Sequence, residues 1–73
     1  MTPKQFKEAR HKLGLSVSEM AKALGVGEVQ VRRMQVAVGM ESHRAVMPTT
    51  EKLIRAYLDG YRPADWPQQE DGQ

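Results

Sequence analysis

Glu28, Val29, Gln30, Arg32 and Arg33 stand within six consecutive positions, interrupted only by Val31. If this stretch is helical with Val31 and Met34 turned inward, the five remaining side chains share its outer face. Each then has a complementary partner on the edge of a base pair. An arginine can bind guanine O6 and N7 with two hydrogen bonds, glutamine can read adenine, glutamate can accept from cytosine N4, and valine can meet a thymine methyl. One bidentate arginine contact is worth about 1–3 kcal/mol of discrimination. That makes Arg33 the leading base reader, whereas Arg32 divides between a base and a phosphate. The plainer reading of both arginines is a solvated charged face.

Residues able to hold a phosphodiester backbone flank that segment. Ser16 and Ser18 stand where a second helix begins, and free N–H groups there favour an anion, although Ser16 also has the ordinary role of a helix N-cap. Lys22 falls on the outer side of that helix. His43 and Arg44 lie in the stretch after the base-reading segment, with an idle loop histidine as the alternative for His43. Such contacts position a protein on a duplex without specifying sequence.

Charge agrees with this arrangement. Residues 1–44 carry +4 and residues 45–73 carry −2, within a net charge of +2. A basic front and a mildly acidic back point to a polyanionic partner for the front. Other chemistries find little support. The chain of 73 residues has no cysteine, which removes disulfides, thiolate zinc sites and a catalytic thiol. His11 and His43 are too far apart in the chain to suggest a metal site. No nucleophile–base pair, paired carboxylates on one face or phosphate-cradling glycine loop appears, so an enzyme is not expected, nor is a cofactor, metal or small-molecule substrate. The longest apolar run, Val36 to Met40 with Gly39 counted, falls far short of the roughly 20 residues that cross a bilayer. The N-terminus leads into no apolar signal segment. The expectation is a soluble cytoplasmic protein with no membrane partner.

The elements that must position these residues are helical. Thr2-Pro3 opens a first helix with apolar Phe6, Ala9 and Leu13 on one stripe, and Gly14 ends it. Ser16 begins the second, with Glu19 completing a capping box; Val17, Met20, Ala21 and Leu24 form its buried face and Gly25 stops it. A connection of about three residues leads to the third helix at Glu28, and short glycine-containing turns of this kind join helices crossing at about 90–120°. From Gln35 to Val38 the helix either continues or stops, and Gly39 to Met47 has no clear period. Pro48-Thr49-Thr50-Glu51 starts a further helix with Leu53, Ile54, Tyr57 and Leu58, closed by Gly60. Tyr61 and Trp66 are expected to fold back onto the domain or a partner, and residues 68–73 to fray. The expectation is an all-α bundle of four to five helices, a single domain over residues 1–67.

The pattern Leu13-Gly14-Leu15-Ser16, then Met20-Ala21, then Leu24-Gly25-Val26, resembles the core of Cro/repressor-type helix-turn-helix regulators of the xenobiotic-response-element type. Small Ala21 stands where the two helices of such a unit approach, and Gly25 at its turn. The resemblance covers residues 3–36 and extends loosely to the helix near 49–58. It implies a repressor-like DNA-binding domain whose third helix enters the major groove, and it favours Glu28, Val29 and Arg33 as base readers. Three departures stand out. Val17 replaces the glutamine that commonly touches a phosphate. Gln35 replaces a glutamate, so the ion pair that the resemblance implies with the first-helix arginine, here Arg10, becomes at most a hydrogen bond. The segment from Gln35 to Pro48 is longer than usual, which with Pro48-Thr49-Thr50 looks more like the small anti-CRISPR-associated repressors.

The resemblance also implies dimerisation on a pseudo-palindromic operator, and a lone half-site discriminates poorly in a genome. Ile54, Tyr57, Leu58, Tyr61 and Trp66 are the candidates for the dimer interface. Against this, Leu53, Tyr57 and Leu58 have an equally ready role as core of a single chain, with Ile54 or Trp66 left for the interface. The expected function is a sequence-specific double-stranded DNA-binding transcriptional regulator, a homodimeric autorepressor of a phage or mobile element. The alternative is an antitoxin-like protein-interaction module in which DNA binding is secondary.

Overall fold

Thr2 caps the first helix reciprocally. Its hydroxyl accepts from Gln5 N at 3.1 Å, and the Gln5 side chain accepts from Thr2 N at 2.8 Å. With Pro3 in the first turn, where a missing N–H removes no bond, α1 runs over Pro3–Lys12. The computed structural model describes residues 1–67, and the expected fraying of 68–73 lies outside the described residues. Three more helices follow, α2 (Val17–Leu24), α3 (Glu28–Met34) and α4 (Pro48–Leu58). The described residues are all-helical, with four helices and no strand.

Two of the turns between helices are built in the same way. After α1, Leu15 N donates to Arg10 O (3.2 Å) and Gly14 N to His11 O (3.0 Å). After α2, Val26 N donates to Ala21 O (3.0 Å) and Gly25 N to Lys22 O (3.3 Å). Each pair satisfies two carbonyls that the helix end would leave open, and each needs a left-handed residue at the corner. Gly25 supplies it at φ 71°, so α2 passes into α3 across residues 25–27 alone. At the other end of α2, Ser16 and Glu19 form the expected capping box, with the Ser16 hydroxyl accepting from Glu19 N (3.1 Å) and the Glu19 carboxylate from Ser16 N (2.8 Å).

The core draws on every helix. Phe6 and Ala9 come from α1 and Leu13 from its C-cap, Met20 and Ala21 from α2, Val31 and Met34 from α3, and Ile54 and Tyr57 from α4. Leu15 in the first turn and Trp66 beyond α4 complete it. Phe6, Met20, Val31 and Ile54 are fully buried, and each such side chain contributes about 1.5–3 kcal/mol by leaving water.

Polar bonds lock the same packing. The Arg10 guanidinium on α1 donates through Nε to Gln35 Oε1 (2.9 Å) and through Nη1 to the Leu15 carbonyl (2.8 Å). The tie between residues 10 and 35 is therefore a hydrogen bond, as the Gln35 departure led one to expect. Tyr57 on α4 donates to Ala23 O at 2.7 Å, satisfying one of the last four carbonyls of α2. Burial holds the Tyr57 hydroxyl above its ordinary pKa. Glu51 on α4 accepts from Arg55 (2.6 Å) and from the Met1 ammonium (3.0 Å), and these two cations, Arg55 first, hold its carboxyl below the ordinary range.

One open reading is closed and one expectation is corrected. The third helix does not continue through Val38: Gln35 N and Val36 N turn back to Arg32 O and Arg33 O, and α3 ends at Met34. Ile54, Tyr57 and Trp66, named as interface candidates, are core residues of the single chain. Ile54 lies among the fully buried side chains, and Trp66 meets Tyr57 edge-on with ring centroids 4.8 Å apart. Leu58 and Tyr61 remain exposed. Tyr61 stacks over Tyr57 at 5.9 Å, so it covers the core from outside.

Candidate nucleic-acid interface

With Val31 and Met34 buried against α2 and the core, the rest of α3 is disposed by its own turn of roughly 100° per residue. Val29 falls at the centre of the outward face, and it is 55% exposed. Arg32 and Glu28 lie to one side of it, Arg33 and Gln30 to the other. All five predicted base readers are thus on one helix, and the four that flank Val29 divide into two pairs with different neighbours.

On the first side, Arg32 Nη2 approaches Glu28 Oε1 at 3.5 Å, an exposed i, i+4 pair. A pair of this kind in water contributes about 0.3–0.5 kcal/mol. It is weak enough to open when either partner meets a base or a phosphate. On the second side, Gln30 and Arg33 face the chain that follows α3. Gln30 lines a groove of about 390 Å³ with Val26, Met34, Ala45 and Met47. Arg33 is only half-exposed, and lines a cleft of about 470 Å³ with Met40, Glu41, Ser42 and Arg44.

That following segment is ordered by its own bonds. Arg44 N donates to Arg33 O (3.1 Å), which joins the loop to the last turn of α3. The His43 ring donates through Nδ1 to the Val36 carbonyl (2.9 Å), so Nε2 is the nitrogen left to meet a ligand. Arg44 Nη1 rests on the His43 carbonyl at 2.8 Å. His43 and Arg44 are therefore placed by α3 itself, and Arg33 and Arg44 share one cleft.

Ser16 at the N-cap of α2, and Ser18 and Lys22 on the helix, are exposed. The Ser16 hydroxyl oxygen already accepts from Glu19 N, and its proton remains to donate. Glu19 sits in the first turn of α2, where its charge occupies the favourable end of the helix dipole and opposes a second anion. Of the expected phosphate contacts, Lys22 and Arg44 have the electrostatics the role demands; Ser16 and Ser18 have only a hydroxyl.

The sequence pattern passed over Val38 and Met40, which are 74% and 61% exposed at the tip of the loop. It also passed over Met47, 60% exposed beside Gln30. Met40 and Met47 belong to a stretch with no period, and Val38 to the ambiguous helix end before it, so their apolar side chains carry no directional signal. Among the described residues no group of three histidine or acidic side chains converges as a metal site would. None of the described helices is long and apolar enough to cross a membrane. No protein-family model, curated protein or solved structure matches the chain.

Proposed function

We propose that the chain is a sequence-specific double-stranded DNA-binding transcriptional regulator of the Cro/repressor type. In this reading α2 and α3 form a helix-turn-helix and α3 lies in the major groove. The observation that carries it is the outward face of α3. Four side chains with base-edge chemistry, Glu28, Gln30, Arg32 and Arg33, are grouped there around exposed Val29, while the opposite face is anchored by Val31 and Met34. Three further features support it. Ser16 and Glu19 cap α2, Gly25 makes a left-handed corner, and Ala21 is buried within the same core as α3.

Arg33 and Gln30 read bases on the side of the groove nearest the 36–47 loop, and Val29 meets a thymine methyl at the centre. Lys22 and Arg44 hold phosphates on either side, and the Glu28–Arg32 pair opens on contact. The regulator acts by occupying its operator, and a second copy of the chain supplies the other half-site. Leu58 and Tyr61 are the apolar side chains left exposed by α4 and the turn after it, and they form the contact between copies.

Arg33→Ala tests the reading. The side chain is half-exposed at the rim of its cleft rather than part of the core, so the variant retains the wild-type melting curve. Its preference for the selected site over random duplex falls by about 1–3 kcal/mol, read in competition gel shifts at fixed salt. An unchanged preference removes Arg33 from the interface.

A further inference from the structure

The loop after α3 carries an apolar tip that neither the core nor the base-reading face uses. Val38 and Met40 flank Gly39, whose φ of 97° makes the turn, and both side chains project into water. Scattered apolar residues on a surface are ordinary. These two are not scattered: they share one turn, and that turn is held in place. Met40 N donates to Ala37 O (3.2 Å), His43 N to Met40 O (3.0 Å) and Arg44 N to Arg33 O (3.1 Å). The His43–Val36 bond closes the loop from the side. Its tip is therefore at a set offset from the C-terminal turn of α3.

We propose that the loop spanning residues 36–44 is a second DNA-contacting element, which sets Val38 and Met40 against the minor groove beside the half-site read by α3. The inference rests on the helix-turn-helix reading. Charge complementarity selects the occupant. Arg33 and Arg44 line the cleft at the base of the tip, together with Ser42 and the single acid Glu41. A phosphate strand is the ridge between a major groove and the adjacent minor groove. With α3 and its Arg33 on the major-groove side of that ridge and Arg44 over the phosphates, the tip beside Arg44 falls on the other side. The minor-groove walls are deoxyribose C–H surfaces, which apolar side chains can cover. Methionine and similar apolar residues beside arginine are suited to that groove, where they can also wedge base steps apart.

The test uses a duplex carrying the site that the wild-type chain selects from a randomised DNA pool. Hydroxyl radicals cut at deoxyribose hydrogens in the minor groove, so their footprint reports this contact directly. The wild type protects a patch of sugars across the minor groove next to each half-site. The double variant Val38→Ser, Met40→Ser keeps the wild-type melting curve, the selected site and the slope of affinity against salt. It loses that patch and binds about tenfold more weakly. An unaltered footprint with affinity within about twofold overturns the proposal while the DNA-binding reading stands. Loss of self-association in the variant also overturns it, by assigning the tip to a protein contact. Failure of the wild type to select any site overturns the underlying reading and this inference with it.

Discussion

Arg10→Met removes a guanidinium and keeps most of the apolar stem, which isolates the polar tie between α1 and the end of α3. In the folded chain that guanidinium makes bonds of 2.9 Å to Gln35 and 2.8 Å to the Leu15 carbonyl. A hydrogen bond from a charged group contributes about 1.5–3 kcal/mol when well shielded. Arg10 is half-exposed, and water competes for both acceptors, so about 1 kcal/mol for each bond is the reasoned value. Arg10→Met should therefore destabilise the fold by about 2 kcal/mol, which lowers Tm by roughly 8–16 °C in a domain of this size. Urea unfolding followed by circular dichroism measures it, with an unchanged m-value confirming that the folded state is intact. Gln35→Leu loses one of the two bonds and costs about 1 kcal/mol. The double variant costs no more than Arg10→Met alone, because the shared bond is lost only once. A loss below about 0.5 kcal/mol for Arg10→Met, or full additivity of the two, would refute the assignment of Arg10 as the strut that sets the end of α3.

Other perturbations report on separate joints. Tyr57→Phe deletes the 2.7 Å bond to Ala23 and costs about 1 kcal/mol at neutral pH. The folded hydroxyl titrates above its ordinary value, so its stabilising contribution is full below that value and lost as pH rises through the raised one; the stability gap between the wild type and Tyr57→Phe should shrink in alkaline melts. Glu51 has the opposite sign: its lowered carboxyl stabilises the fold above the ordinary value of 4.5, and that contribution disappears as pH falls through the folded value. Glu51→Gln should accordingly unfold with a flatter dependence on pH below about 4.5, and an identical acid limb would exclude the contribution. Gly25→Ala meets no atom within 4 Å but must hold φ 71°, so it costs about 1–2 kcal/mol through the backbone alone. Equal stability of the glycine and alanine forms in urea would show that the corner relaxes.

Local signals in the sequence were sufficient where the structure is local. Ser16 and Glu19 three residues apart make a cap whatever surrounds them, and Gly25 after Leu24 closes α2 by its own conformational freedom. The residue type at Gln35 limited its tie to Arg10 to a hydrogen bond, and that bond is present at 2.9 Å. In α4 the pattern was ambiguous by one position. Leu53, Ile54, Tyr57 and Leu58 form a stripe wide enough to be centred on either edge. The choice was made by distant residues: Tyr57 reaches Ala23, Trp66 folds against Tyr57, and Ile54 turns inward with them. The 36–47 segment was illegible for a different reason. Its order comes from bonds between His43 and Val36 and between Arg44 and Arg33, which no periodicity registers. Val38 and Met40 went unnoticed as a tip for the same reason. On α3 the outward residues were legible from Val31 and Met34, but their division into a Glu28–Arg32 side and a Gln30–Arg33 side depended on where that loop folds.

In the proposed function α3 reads DNA sequence as one half of a symmetric pair. Repeated rounds of selection from a randomised duplex pool by the full chain, followed by sequencing, test this most directly. The expected result is enrichment of an inverted repeat whose half-site centres lie about one helical turn, roughly 34–36 Å, apart, with the enrichment lost for Arg33→Ala. A pool that remains unenriched at low salt, or one equally enriched by the Arg33→Ala variant, would contradict it.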